Sequence, residues 1–266
     1  MHNPYLDLTK EFNDGRLRTL LSSGQAVVVH RLAIMSKDGD WIVREDAASL
    51  EHVLAVLESH GAHYRFGAPL DIRWLAGGWS SHFEFARSGM RLRTDFVSRP
   101  PRIDTATLAT MWSEAERTGS DVVDVVPLAR LKLTNREKDY AVVGDLARLM
   151  QDPADRLRFS RSARDLLELA AAHPDLLVHA TAERPALAAL PDGREALEEA
   201  LDRERRSLMR ANEERLRSYQ EAAARWAATW TSLLREIDGL SLRRAHEHLV
   251  QRATGLLPFH PVEARP

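Results

Sequence analysis

Asp38-Gly39-Asp40 sets two carboxylates two residues apart, and on a strand residues i and i+2 share a face. Two carboxylates held together away from water repel, and each resists ionisation unless a cation sits between them. A divalent ion is the natural solution, because Mg²⁺ takes one or two carboxylates and completes its shell with water and substrate phosphates. A third acid, Asp95, stands inside Arg91-Leu92-Arg93-Thr94-Asp95-Phe96-Val97, a strand-like run in which Asp is disfavoured. If that strand lay beside the strand of Asp38 and Asp40, the three carboxylates would complete a metal site. The expected ligands are therefore Asp38, Asp40 and Asp95, and the expected ion is Mg²⁺ or Mn²⁺. Such a site would align an attacking oxygen with an α-phosphate and stabilise the leaving pyrophosphate. Taken alone, an Asp-x-Asp pair is as readily a solvated turn.

The elements that must position these acids are legible in outline. Residues 8–22 read as a helix or turn running into Ser22-Ser23-Gly24. Ala26-Val27-Val28-Val29 is apolar without a clean period, so helix and strand compete there. Ser36 to Val43 reads as a strand approached through a polar turn. Asp46 caps an amphipathic helix, with Leu50, Val53, Leu54 and Leu57 as its stripe and Gly61 as its stop. The period then changes to two at Leu70/Ile72/Trp74, Phe83/Phe85 and Leu92/Thr94/Phe96, which predicts three short strands in hairpin order. Gly77-Gly78 and Ser88-Gly89 mark the turns, and Pro100-Pro101 closes the block. A helix follows over 104–118, then a short buried run at Val122–Val126, a helix opened by Pro127, and more helix over 139–150.

From Asp152 onward Ala, Leu, Arg and Glu dominate, a helical composition. Residues 194–238 hold no Pro or Gly. Tyr219, Ala223, Trp226, Trp230, Leu233 and Ile237 repeat at alternating four and three residues, a heptad-like seam suited to a core or an oligomer interface. Unbroken, this helix would reach roughly 65 Å at 1.5 Å per residue; a break near Asn212 is the alternative.

With these elements in place, the segment Gly24-Gln25, a twelve-residue spacer and Asp38-Gly39-Asp40-Trp41 resembles the signature of the DNA polymerase beta-like nucleotidyltransferase superfamily. It is close to that of small bacterial members of the AbiEii and toxin–antitoxin type, in which a basic residue and a hydroxyl residue precede the first acid, as Ser36-Lys37 do. Asp95 matches the family's third acid. Leu128 to Leu133, Arg136 to Tyr140 and Asp145-Leu146 are similar to the family's Leu-x-x-x-Lys, Arg-x-Lys-Asp and Asp-Leu stretch. The similarity covers residues 15–150. It implies a mixed-sheet α/β (α+β) nucleotidyltransferase fold over 1–150. Residues 151–266 carry no such resemblance, and their composition predicts an α-helical extension that covers the cleft, binds a cognate partner or makes a homo-oligomer. The resemblance implies an NTP as substrate, an RNA, protein or small-molecule hydroxyl as acceptor, and a setting in toxin–antitoxin or phage-defence systems. By the same resemblance Ser23, Gly24, Gln25, Arg31, Lys37 and Lys132 would contact the nucleotide, with His30 beside Arg31, while Asp139 braces its helix. Two positions depart from the family pattern: Gln25 replaces a small Gly or Ser, and Gly39 replaces an apolar residue. A non-catalytic family member acting as an antitoxin or assembly subunit is the alternative function.

Other candidates are weaker. Arg91 and Arg93 flank Asp95 and read first as partners of acids. Arg99-Pro100-Pro101-Arg102 reads as a solvated loop. His246 and His248 would stand about 200° apart on a helix and cannot share one ion. The Arg/Glu-rich face around Arg203–Arg217 reads as solvated i,i+4 pairs. The 266 residues carry a formal charge of -2, which excludes a strongly basic nucleic-acid glove but not a local basic patch. There is no cysteine, so disulfides and Cys-zinc sites are excluded. The opening Met1-His2-Asn3-Pro4 lacks a secretory pattern, and no run nears ~18 apolar residues. A cytoplasmic protein without a membrane partner is expected.

Overall fold

The computed structural model describes residues 3–261. It is an α+β protein with one five-stranded mixed sheet and a helical C-terminal region. Two compact units emerge. The first comprises residues 1–123 and 216–266, and the second comprises 124–215. Position 150, the expected boundary, falls inside the second unit, just past α7 (Glu137–Leu149). Residues 216–261 belong to the first unit because their apolar stripe completes its core.

In the first unit, α1 (Pro4–Phe12) is capped by the Asn3 side chain and leads to β1 (Thr19–Ser22). The competition over Ala26–Val29 resolves as a short helix, α2 (Ser23–Val29). β2 (Gly39–Val43) and the Asp46-capped α3 (Ala47–Ser59) follow. The expected strand over Leu70–Trp74 is not one. Asp71 accepts a hydrogen bond from Arg73 N and caps a single helical turn, α4 (Ile72–Leu75), so the period-two pattern there describes a loop and a turn. The strand lies earlier, as β3 (His63–Gly67). β4 (Ser81–Arg87) and β5 (Met90–Val97) form the expected hairpin. Ser88 and Gly89 both take positive φ in its two-residue turn, the geometry such turns require. Strand order is β1-β2-β5-β4-β3, with β2 and β5 parallel and the other neighbours antiparallel. α5 (Thr105–Thr118) runs from the Asp104 cap to a left-handed Gly119.

One sheet face is apolar and buried. Trp41, Val43, Tyr64, Phe83, Phe85, Leu92 and Phe96 pack there against α1 and α3 residues such as Leu8, Phe12, Val53 and Leu57. Trp41 and Phe96 stack at 5.4 Å, and Phe12 meets both edge-on. The seam from Tyr219 to Ile237 joins this same core. The long helix breaks, but at Ala223 rather than near Asn212, into α11 (Arg194–Ala222) and α12 (Ala224–Ile237). Trp226 and Trp230 donate their indole N–H groups to the Gly67 and Arg65 carbonyls of β3, at 2.9 and 3.0 Å. α13 (Leu242–Ala253) completes the unit.

In the second unit α6 (Val125–Leu131) starts at an Asp124 cap three residues before Pro127. α7 follows it, then α8 (Pro153–Phe159), α9 (Ala163–Ala172) and α10 (Leu177–Glu183), and two 3₁₀ segments flank α10. Leu157, Leu166, Leu187 and Leu197 form its apolar centre. Among the described residues, no helix is long and apolar enough to cross a membrane.

Candidate functional site

The face of the sheet opposite the aromatic core carries a transverse row of polar residues. Ser22 stands opposite Asp40, Asp40 opposite Asp95, and Asp95 opposite His82, so four neighbouring strands contribute to one line. Directly paired residues point to the same face of a sheet, so Asp40 and Asp95 share one. Asp38 sits immediately before β2, two residues from Asp40. One of its oxygens, Oδ1, is buried without a hydrogen-bond donor, and the nearest cation, Arg93 Nη1, is 3.7 Å away. The proximity of Asp38 and Asp40 is felt by Tyr5. Burial first, and then these two carboxylates, raise the pKa of its hydroxyl, which donates to Lys37 O at 2.6 Å.

The loop before Asp38 is fixed by Gln25, Gly24 and Gly39. Gln25 is buried. Its Nε2 donates to Ser36 O at 2.9 Å, and its Oε1 accepts from Asn3 Nδ2 at 3.1 Å. A side chain at Gly24 would put a Cβ 2.2 Å from Ser36 Oγ, so glycine lets Ser36 settle against α2. Gly39 is equally constrained. A Cβ there would lie 2.4 Å from the Trp41 ring and 2.5 Å from the Tyr5 ring, because those rings fill the space an apolar residue at 39 would take. Ser22 Oγ donates to Asp40 O across the β1–β2 pair, and Ser23 opens α2 at φ +52°.

Asp95 is held elsewhere. Arg65 Nη2 donates to its Oδ1 at 3.2 Å. His82 Nδ1 lies 2.7 Å from the same oxygen but outside the angular range of a hydrogen bond. His82 is itself fixed by Ser80 Oγ at 2.7 Å and by stacking on Phe66. In this arrangement no three His, Asp or Glu side chains among the described residues converge as a ready-made metal cage.

The remaining candidates separate. Arg31 is exposed at φ +63°, and His30 Nε2 lies 2.9 Å from Val123 O. Lys37 is exposed beside Asp38. Lys132 belongs to the second unit, where it is buried with its Nζ 3.7 Å from Asp139. Asp139 accepts hydrogen bonds from Thr134 and Arg136 and so braces the start of α7. Arg91 pairs with Glu84 across the hairpin, and Arg99 with Glu45. His246 bonds Tyr64 and His248 bonds Glu236, so the two histidines share nothing. Sequence reasoning missed His82 and Arg65. His82 had a signal: the Ser88-Gly89 turn fixes the hairpin register and so places His82 opposite Asp95. Arg65 had none, because its strand was assigned to the wrong segment.

No protein-family model matches the chain, and no curated protein matches it. Among solved structures, a putative nucleotidyltransferase from Helicobacter pylori aligns at 14% identity over 80% of this chain and 98% of its own, with a TM-score of 0.37. JHP933 from Helicobacter pylori aligns at 14% identity over 82% and 97%, with a TM-score of 0.35. Both likenesses are too distant to assign chemistry to any residue.

Proposed function

We propose that the chain is a metal-dependent nucleotidyltransferase, moving a nucleoside monophosphate from an NTP to an acceptor hydroxyl. The observation that carries this reading is the side-by-side pairing of Asp40 with Asp95, with Asp38 two residues away and one of its oxygens buried without a donor. A buried carboxylate oxygen left without a donor is costly. An all-oxygen donor set of this kind suits Mg²⁺ or Mn²⁺. Asp38 and Asp40 would hold the ion, and Asp95 would join them on leaving Arg65 and His82. When bound, the ion supplies charge neutralisation at the reacting phosphate.

The chain's own residues account for the remainder. Gln25 and Gly24 hold the Ser36–Asp38 loop in place. Arg93 and Lys37 bring positive charge to the Asp38 side, where triphosphate oxygens would lie. Asp95, as a carboxylate facing Asp40, would take the acceptor's proton. Ser23 and Arg31 are secondary nucleotide contacts, and Lys132 is one only by resemblance. An RNA, protein or small-molecule acceptor and a toxin–antitoxin or phage-defence setting accompany this reading through the same resemblance. To test it, the full chain is incubated with Mg²⁺, each α-labelled NTP and total RNA. Label transfer that disappears in Asp38→Ala and Asp40→Ala is expected. No transfer, together with no Mg²⁺-dependent shift in melting temperature with any NTP, overturns the reading.

A specific observation favours a second reading. Arg65 already supplies Asp95 with a positive partner and His82 packs against the same oxygen, as a structural carboxylate in a non-catalytic protein would have. On that reading the chain is an antitoxin or assembly subunit, and Asp95→Asn lowers stability without touching metal or NTP binding.

A further inference from the structure

Within the second unit, two arginines share one carboxylate. Arg184 is 4% exposed and fully engaged: its Nε and Nη2 donate to the two oxygens of Glu204, each at 2.9 Å, and its Nη1 donates to Leu157 O at 2.7 Å. Arg161 reaches Glu204 only through Nη1, and its Nε is buried without a hydrogen-bond partner. Two largely buried guanidiniums therefore face one carboxylate, leaving one positive charge in excess. Burial and the neighbouring Arg184 pull the Arg161 pKa down to about 10, which reflects the cost of that charge. Such a charge is stabilised by an anion that brings both charge and acceptors.

Arg161 opens onto a cleft of about 590 Å³ between the N-terminal turns of α7 and α9 and the first half of α11. Arg194 and Arg205 on its wall are matched by Glu198, and by Glu137 and Asp202. Lys138 lines the cleft with no ion-pair or hydrogen-bond partner among the described residues. Arg164 is paired only along its own helix, with Glu168. α7 begins without a side-chain cap, with Glu137 and Asp139 in its first turn, so the positive charge facing the cleft comes from Arg161, Lys138 and Arg164. The planar fork of Arg suits phosphate oxygens, Lys supplies a point charge, and the volume fits a ligand of nucleotide size.

We propose that this cleft in the second unit binds a phosphate group carried by a nucleotide or by an RNA chain. The site goes beyond the transfer chemistry and does not rest on it. The test is fluorescence anisotropy of the full chain with a 3′-labelled hexaribonucleotide, in competition with AMP and with inorganic phosphate. Saturable binding is expected. Lys138→Glu and Arg164→Glu, both at exposed positions, should each weaken it about tenfold and lower the salt slope by about 1. Arg161→Met should weaken it as much, with its melting temperature recorded to separate binding from folding. Competition by AMP assigns a nucleotide monophosphate, and competition only by unlabelled RNA assigns a chain; either supports the proposal. Unchanged affinity in Lys138→Glu and Arg164→Glu, or no saturable binding of any probe, overturns it. So does loss of binding in Asp38→Ala with Lys138→Glu unaffected, which would place the ligand on the first unit. Absence of nucleotidyl transfer would leave these binding results standing.

Discussion

At the level of single residues, Gln25 and Gly39 turn out to be structural. Gln25 and Gly39 shape the approach to Asp38 and Asp40 through a buried amide bridge and through ring packing. Gly24→Ala should cost about 1–3 kcal/mol in a denaturant titration, because the new Cβ collides with Ser36. Adding Ser36→Gly should recover part of the loss. A second residue effect concerns pH. His246 is largely buried against Tyr64, and burial, opposed by Asp71, Glu51 and Glu247, lowers its pKa below the ordinary 6.5. The unfolded chain then takes up this proton before the folded one does. The contribution of neutral His246 is present above about pH 6.5 and is lost as pH falls toward its folded pKa. The difference in melting temperature between the wild type and His246→Asn should therefore shrink on going from pH 7.5 to 5. The pair Asp38/Asp40 and the strand acid Asp95 were legible in the sequence, because a polar turn before an apolar run and an acid inside a strand are local signals. The capture of Asp95 by Arg65 was not, because it joins strands whose order no local pattern specifies.

At the level of elements, the tryptophan pair of α12 has a definite task. β3 is an edge strand, and its outward carbonyls at Arg65 and Gly67 would otherwise invite another strand. Indole N–H groups from Trp230 and Trp226 satisfy them instead. Trp226→Phe and Trp230→Phe remove these donors while keeping an aromatic ring, and each should cost about 0.5–1.5 kcal/mol for the hydrogen bond alone. Hydrogen exchange along β3 and β4 should quicken in both variants. Unchanged exchange there would contradict the clamp. Periodicity found α3, α5, β4 and β5 because each is long, regular and capped or closed by a turn. It failed at Leu70–Trp74, where the alternation is an accident of a loop followed by one helical turn under Asp71. It also misplaced the break in the long helix, because Ala223 carries no helix-breaking signal.

For the whole molecule, composition correctly announced a helical C-terminal half, but no local pattern reveals which core a helix joins. Trp226, Leu233, Ile237, Leu242 and Leu249 are buried in the first unit, although the whole second unit, residues 124–215, separates them in sequence from the rest of it. A chain ending at Arg215 should therefore lose near-ultraviolet circular dichroism from its aromatic core and bind a hydrophobic dye, since several fully buried side chains leave at once. A truncated chain with native aromatic signals and cooperative melting would contradict this assignment. On the proposed function, Asp38, Asp40 and Asp95 hold a divalent ion for transfer from an NTP. The most direct measurement is a calorimetric titration of Mn²⁺ into the full chain, with and without a non-hydrolysable NTP. Saturable Mn²⁺ binding is expected, tighter with the nucleotide present and lost in both Asp38→Ala and Asp40→Ala. Mn²⁺ binding of equal strength in those variants, or none in the wild type under either condition, would contradict the proposed function.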